Sequence, residues 1–325
     1  MPISVIAIIT LIIGFIGLVW SANIFVNGSA SLAKHLGMTP VLIGLTVVAF
    51  GTSAPEMFVS AGAALEGVPN LAIGNAIGSN IANIGLVLGI TALIAAIPVN
   101  TRLMRIEIPL LLLASFLAVF FLWDLYLSAL EGFSLLAAAL FATLILIWDA
   151  RRAKSDPTVS STEVTEPPPL KRLQAIVYLT IGLITLLVFA DLLVWSATSL
   201  AEHLGVSPMI IGLTVVAVGT SLPELAASVA SALKGHHDIA IGNIIGSNLL
   251  NILAVMAIPG IFSPSELTPT TVNRDLFMMV LLTLMLVAVI AFGAIQQKTG
   301  KAPFMGRPFG LLLLLTYVLY YMMIF

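Results

Sequence analysis

The chain has 325 residues, of which 60% are hydrophobic and only 9% charged, with a mean hydropathy of +1.14. A soluble chain of this length carries about 25% charged residues, so the composition excludes a water-soluble globule and makes lipid the solvent for most of the sequence. The formal net charge of −2 argues against a nucleic-acid partner. The absence of cysteine excludes disulfides and thiolate metal sites, and four dispersed histidines leave oxygens to hold any metal, which favours hard cations such as Ca²⁺ and Na⁺.

Apolar windows of about 20 residues place ten membrane helices near 3–27, 39–65, 70–97, 103–123, 127–150, 173–197, 207–233, 238–262, 275–296 and 306–325. The opening Met-Pro-Ile-Ser lacks the basic region of a signal peptide, so the first window reads as a mature span. The one sizeable polar stretch, 151–172, is rich in Ser, Thr and Pro and reads as a linker between residues 1–150 and 173–325. With the linker placed inside, twelve of the thirteen Lys and Arg fall on its side and only Arg274 on the other. That bias predicts a cytoplasmic linker and both termini outside, in a multi-pass protein of the plasma (inner) membrane.

His35, beyond the first span, matches His203, beyond the sixth, in the repeat, and both are expected to cap helix ends. The second and third spans carry the segments GTSAPE (51–56) and GNAIGSNIAN (74–83). Glu107, at the start of the fourth, is expected to pair with Arg105 or Arg102. Asp191, toward the outer end of the sixth, is expected to be solvated at the interface, with a role in ion entry as the less favoured reading. The seventh and eighth spans carry GTSLPE (219–224) and GNIIGSNLLN (242–251). The turn between them holds His236, His237 and Asp238 and is expected to be solvated; a proton sensor is the alternative.

These segments form an internal repeat. Residues 31–84 align without gaps on 199–252, with 33 of 54 positions identical. Five spans separate equivalent positions, and because five is odd the two copies cross the membrane in opposite directions. The fold class read from this is all-α integral membrane, ten transmembrane helices as two inverted five-helix repeats. Such repeats mark secondary transporters, whose substrate site lies near the midplane between the copies.

Glu56 and Glu224 each fall in the middle of an apolar span, where a carboxylate costs roughly 2.5–3.5 kcal/mol on insertion scales and marks function by default. Each follows a proline, Pro55 or Pro223. Proline removes a donor and frees a carbonyl one turn earlier, which loosens the backbone near Ala49 and Ala217. Thr52 and Thr220 share a helix face with the two Glu; Ser53 and Ser221 flank that face. Ser79 with Asn83, and Ser247 with Asn251, line the partner spans. Together they make an all-oxygen cage suited to Ca²⁺ or Na⁺, although interhelical hydrogen bonding also accounts for the Ser and Asn pairs. Asn75 and Asn243 either line the pathway or pack. Gly74 with Gly78, and Gly242 with Gly246, read as close-packing pairs.

The doubled GTSxPE and GNxxGSNxxN segments resemble the α-repeats of the Ca²⁺/cation antiporter superfamily, most closely its prokaryotic Na⁺/Ca²⁺ exchangers. The doubled motif spans about a third of the chain. The resemblance implies a core of helices 2, 3, 7 and 8, with long, tilted, mobile helices 1 and 6. It also implies that Glu56 and Glu224 are shared by both ions and that Thr52 and Thr220 bind Ca²⁺. Na⁺ would be bound by Ser53, Ser79, Ser221 and Ser247 with the carbonyls of Ala49 and Ala217, and Asn83 and Asn251 would stand beside the central site. Some relatives, K⁺-dependent exchangers among them, have Asp where this chain has Asn251, which argues against K⁺ co-transport.

The expected function is therefore an electrogenic Na⁺/Ca²⁺ antiporter, not an enzyme, working by alternating access. Its partners are Ca²⁺, Na⁺ and the lipid bilayer, with no cofactor and no segment marking an obligate protein partner. An H⁺/Ca²⁺ antiporter of the same superfamily is the alternative, since two carboxylates also carry protons. A cation channel is disfavoured because no selectivity-filter ring is evident. An intramembrane hydrolase is disfavoured because no histidine lies mid-span to serve as base.

Overall fold

The computed structural model describes residues 3–153, 168–205, 217–298 and 303–324. Apart from four two-residue strands, every described element is helical, as expected where lipid offers backbone groups no partner and the bonds must close within each segment. The elements in chain order are α1 (Ile3–Leu36), α2 (Pro40–Thr52), α3 (Ala54–Leu65), α4 (Pro69–Ile94), β1 (Ile97–Pro98), α5 (Glu107–Leu122), β2 (Tyr126–Leu127), α6 (Ala129–Ala153), α7 (Arg172–His203), α8 (Ala217–Thr220), α9 (Leu222–Leu233), α10 (His237–Phe262), β3 (Ser265–Glu266), α11 (Phe277–Lys298), β4 (Phe304–Met305) and α12 (Arg307–Met322), with a 3₁₀ turn, Thr101–Met104, before α5 and a π turn, Thr271–Leu276, leading into α11.

Among the described residues, α1, α4, α6, α7, α10 and α11 are long and apolar enough to cross a membrane. The α2–α3 pair makes a seventh candidate, bent by 44° at Ser53. Helices α5, α9 and α12 are apolar but shorter. The expected linker falls largely on residues 154–167, and the start of the expected seventh span on 206–216; both lie outside the described residues. Large apolar side chains such as Phe58, Phe116, Phe141 and Phe292 face outward, as a lipid-facing surface requires.

Helices α1 and α7 run well beyond the windows expected to end at 27 and 197. Polar residues near the end of α1 truncated the apolar signal there. In the folded chain those groups are provided for: Ser29 donates to the Phe25 carbonyl at 2.8 Å and packs inside. The two helices lie antiparallel at close range. A Cβ on Gly182 would meet the Phe25 backbone N at 2.5 Å, and one on Gly14 would meet Leu193 Cγ at 2.9 Å. A shift of 168 residues converts the first contact into the second, so the repeat extends to how these helices touch.

The loops follow the same rule. Strand β1 pairs antiparallel with β4, and β2 with β3, joining a loop of each half to one of the other. Gly242 and Gly246 of α10 sit against the α2 backbone, where a Cβ would meet Val41 O at 2.6 Å and Leu45 O at 2.5 Å, so this pair packs closely. For Gly74 and Gly78 of α4, expected to pack closely too, a Cβ would meet nothing within 4 Å among the described residues.

Three surface expectations are corrected. Arg102 pairs with Asp149 at 2.9 Å, not with Glu107, because α6 brings its last turn beside the 101–104 turn. His35 does not cap α1; its Nε2 donates to the Leu170 carbonyl at 2.7 Å and ties α1 to the entry of α7, while His203 is exposed in the last turn of α7. The 236–238 turn is packed rather than solvated: His236 and Asp238 are buried, and Asp238 accepts from Asn100 Nδ2 at 3.0 Å. Asp191 is exposed, as expected. Lys234, just past α9, reaches sideways and donates to Asn23 O at 2.8 Å and Asn27 Oδ1 at 2.7 Å on α1.

Candidate cation site

The prolines define the site. Pro55 and Pro223 sit in the first turns of α3 and α9, where a missing N–H costs nothing because those donors lack helical partners anyway. Each span therefore breaks just before its proline. Ser53 (φ −82°, ψ 7°) and Ser221 (φ −89°, ψ 3°) are the junctions, with nearly identical backbones. The break gives each carboxylate a helix N-terminus: Glu56 and Glu224 lie in the first turns of α3 and α9, where the backbone dipole favours negative charge.

Both Glu are fully buried and close enough to repel each other. Ser79 of α4 faces Glu56; Ser247 of α10 and Thr52 of α2 face Glu224. Ser53 Oγ donates to Glu224 Oε1 at 3.0 Å, and Thr52 Oγ1 to Asn243 Oδ1 at 3.1 Å. Both bonds cross from one repeat to the other. Among the described residues, both Glu56 oxygens, Glu224 Oε2 and the hydroxyls of Ser221 and Ser247 meet no hydrogen-bond partner. Thr220 is half-buried and engaged.

Asn83 and Asn251 are buried with both polar atoms unpartnered among the described residues. Each opens a π turn, Asn83–Leu88 and Asn251–Val255, a local widening that recurs at functional sites. The Ala49 carbonyl departs from expectation. It is not loosened, because it accepts the Ser53 N–H at 2.9 Å. In the second copy the Ser221 N–H goes to the Val218 carbonyl at 3.1 Å, one residue past Ala217.

Two residues escaped the sequence reading. Ser60 accepts from Asn75 Nδ2 at 3.0 Å and Ser228 from Asn243 Nδ2 at 3.0 Å. Each Asn also donates to a carboxylate residue's backbone carbonyl, Glu56 at 3.1 Å and Glu224 at 3.4 Å. The available signal was their place four residues after each Glu, identical in both copies. Two buried carboxylates ringed by hydroxyl and amide oxygens can bind a divalent cation or several monovalent ones.

Comparison with known proteins gives a consistent result. Residues 6–148 and 174–325 match the family model described as sodium/calcium exchanger protein. CaxA of Alkalimonas amylolytica is 42% identical over 98% of this chain and 99% of its own. The sodium/calcium exchanger MaX1 of Methanosarcina acetivorans is 28% identical over 87% of this chain and 91% of its own. A solved structure of the sodium-calcium exchanger NCX_Mj, soaked with Na⁺ and Sr²⁺, superposes with a TM-score of 0.82 at 33% identity, covering 98% of both chains.

Proposed function

Given that the chain belongs to the sodium/calcium exchanger protein family and is a membrane antiporter of that superfamily, we propose that it exchanges Na⁺ for Ca²⁺ by alternating access. The observation that carries this is the pair of fully buried carboxylates, Glu56 and Glu224, close enough to repel each other and supplied by equivalent helix breaks in the two copies. In this reading ten helices form two inverted five-helix repeats, residues 1–150 and 173–325. The linker 151–172 is cytoplasmic and both termini are outside.

Ca²⁺ would be held by Glu56 and Glu224 with Thr52 and Thr220. Na⁺ would use the same carboxylates with Ser53, Ser79, Ser221, Ser247 and the carbonyls of Ala49 and Ala217, with Asn83 and Asn251 beside them. Support for Na⁺ rather than H⁺ comes from the number of hydroxyls gathered around the carboxylates, which proton carriage does not need. It also comes from the similarity to MaX1 and NCX_Mj, both named as exchangers of sodium and calcium. Two carboxylates balance one Ca²⁺; three Na⁺ would leave the site at +1, so the exchange moves charge. The test is ⁴⁵Ca²⁺ uptake into proteoliposomes under imposed Na⁺, K⁺ or H⁺ gradients. Uptake driven by outward Na⁺ at fixed pH is expected; uptake that follows only a pH gradient contradicts the proposal.

A further inference from the structure

The repeat carries opposite charges at two equivalent positions. Lys234, just past α9, matches Glu66, just past α3, at the 168-residue interval, and Asn23 of α1 matches Asp191 of α7. Lys234 reaches α1, where its Nζ donates to the Asn23 carbonyl at 2.8 Å and to Asn27 Oδ1 at 2.7 Å. The other copy cannot form that contact. Glu66 and Asp191 are both exposed, and two ionised carboxylates offer each other no donor.

Helices α1 and α7 touch closely at two levels, Gly28 against the Leu179 backbone and Gly14 against Leu193, so they move as one body. That body rests on the core through apolar side chains, Leu183 beside Gly51 and Val194 beside Gly219. Apolar contacts fix position weakly where lipid is equally apolar, whereas hydrogen bonds from an ammonium fix it strongly. One turn below Lys234, on the same face of α9, Ala230 is buried in a cluster with Val26 and Ala30 of α1. The Lys234 bonds therefore cover a closed seam between α1 and α9.

We propose that Lys234 is a reversible latch: it holds the seam between α1 and α9 shut on the linker side of the membrane and lets go when the α1–α7 body moves. This rests on the alternating-access reading above. The ammonium is half-buried and held by two neutral oxygens, so leaving the seam restores its hydration. A contact with that balance closes the seam without sealing it. An apolar residue at this position would seal it. An acid, as at Glu66, would hold it apart, because the Asn23 carbonyl only accepts.

The test uses the full chain, which has no cysteine of its own, with Ala230→Cys as reporter in oriented proteoliposomes. Labelling by an impermeant maleimide added on the linker side is compared for this parent and for Lys234→Met, Lys234→Glu and Asn27→Leu added to it. Ca²⁺ uptake driven by Na⁺ and monodispersity in detergent are measured alongside. Lys234→Met is expected to slow labelling several-fold and to lower kcat for uptake while KM for Ca²⁺ stays near that of the parent. Lys234→Glu, which repels, and Asn27→Leu, which removes an acceptor, are each expected to speed labelling several-fold. Labelling unchanged in Lys234→Met, or moved in the same direction by Lys234→Met and Lys234→Glu, would overturn the latch and leave the exchange reading standing. If neither Lys234 variant folds, unchanged labelling in Asn27→Leu overturns the latch by itself. A parent chain whose Ca²⁺ uptake needs no counter-ion would instead remove the alternating-access reading, and the latch with it.

Discussion

Ser53 Oγ, at the break between α2 and α3, donates a 3.0 Å hydrogen bond to Glu224 Oε1, 171 residues later in the chain. The repeat-related pair does not copy it: Ser221 Oγ and both Glu56 oxygens meet no hydrogen-bond partner among the described residues. Among the described residues, two nearly identical sequence segments therefore hold their carboxylates differently. The asymmetry separates residues that sequence treats as equals.

Ser53→Ala removes a bond to a carboxylate, whereas Ser221→Ala removes a hydroxyl that bonds nothing among the described residues. In ion-free detergent solution Ser53→Ala is expected to lower stability by about 1.5–3 kcal/mol and Ser221→Ala to leave it within about 0.5 kcal/mol. Equal losses in thermal melting would show that the two hydroxyls are equivalent after all.

Glu56→Gln and Glu224→Gln should each abolish Ca²⁺ transport while the protein still folds. Either change leaves one negative charge opposite a dication in a site that water does not screen. Near-normal flux in either variant removes the carboxylate pair from the mechanism.

Much of this arrangement was legible in the sequence, because it rests on local rules. A proline and a carboxylate inside an apolar run, repeated at a fixed interval, announce a broken helix and a buried charge. The π turns at Asn83 and Asn251 were not legible, since nothing in composition or hydropathy separates a π turn from the α-helix around it. The full length of α1 was hidden because Ser29 and its neighbours look like a span's end until helix α7 is set beside them. The Arg102–Asp149 pair and the Asn243–Thr52 bond join residues 47 and 191 positions apart, and no periodicity carries that information.

Asn251 bears on the counter-ions. With an amide rather than a carboxylate at this buried position, Ca²⁺ uptake driven by Na⁺ should proceed at the same rate with K⁺ replaced by choline on both sides. A strict K⁺ requirement would refute this reading of the site.

Lys234 gives a pH signature. Burial pushes its ammonium down to about 8 from the usual 10.5, since two neutral acceptors on α1 do not offset its desolvation. Between those values the unfolded chain holds a proton that the folded chain has released, so this residue's contribution to stability rises with pH over that window and is constant below it. Lys234→Met should therefore melt above wild type at neutral pH, with the gap narrowing as pH rises through the window. A gap that widens instead would reverse the sign of the argument.

The two ends of α7 report orientation. Lys171 and Glu202 are both exposed, and the charge bias places the first inside and the second outside. In this cysteine-free chain, Glu202→Cys in intact cells should react with an impermeant thiol reagent and Lys171→Cys should not. The opposite labelling pattern would invert the topology.

The central claim is that Ca²⁺ crosses only in exchange, because two ionised carboxylates close together without cations would hold the helices from moving between inward and outward states. The direct measurement is Ca²⁺ uptake into proteoliposomes loaded with Na⁺, compared with vesicles containing neither Na⁺ nor Ca²⁺, with the potential clamped by K⁺ and valinomycin. The account predicts uptake only in the Na⁺-loaded vesicles, faster when the interior is positive, since a net positive charge leaves with each cycle at about 2.3 kcal/mol per charge per 100 mV. Uptake of equal rate into the Na⁺-free vesicles, driven by the Ca²⁺ gradient alone, would contradict it.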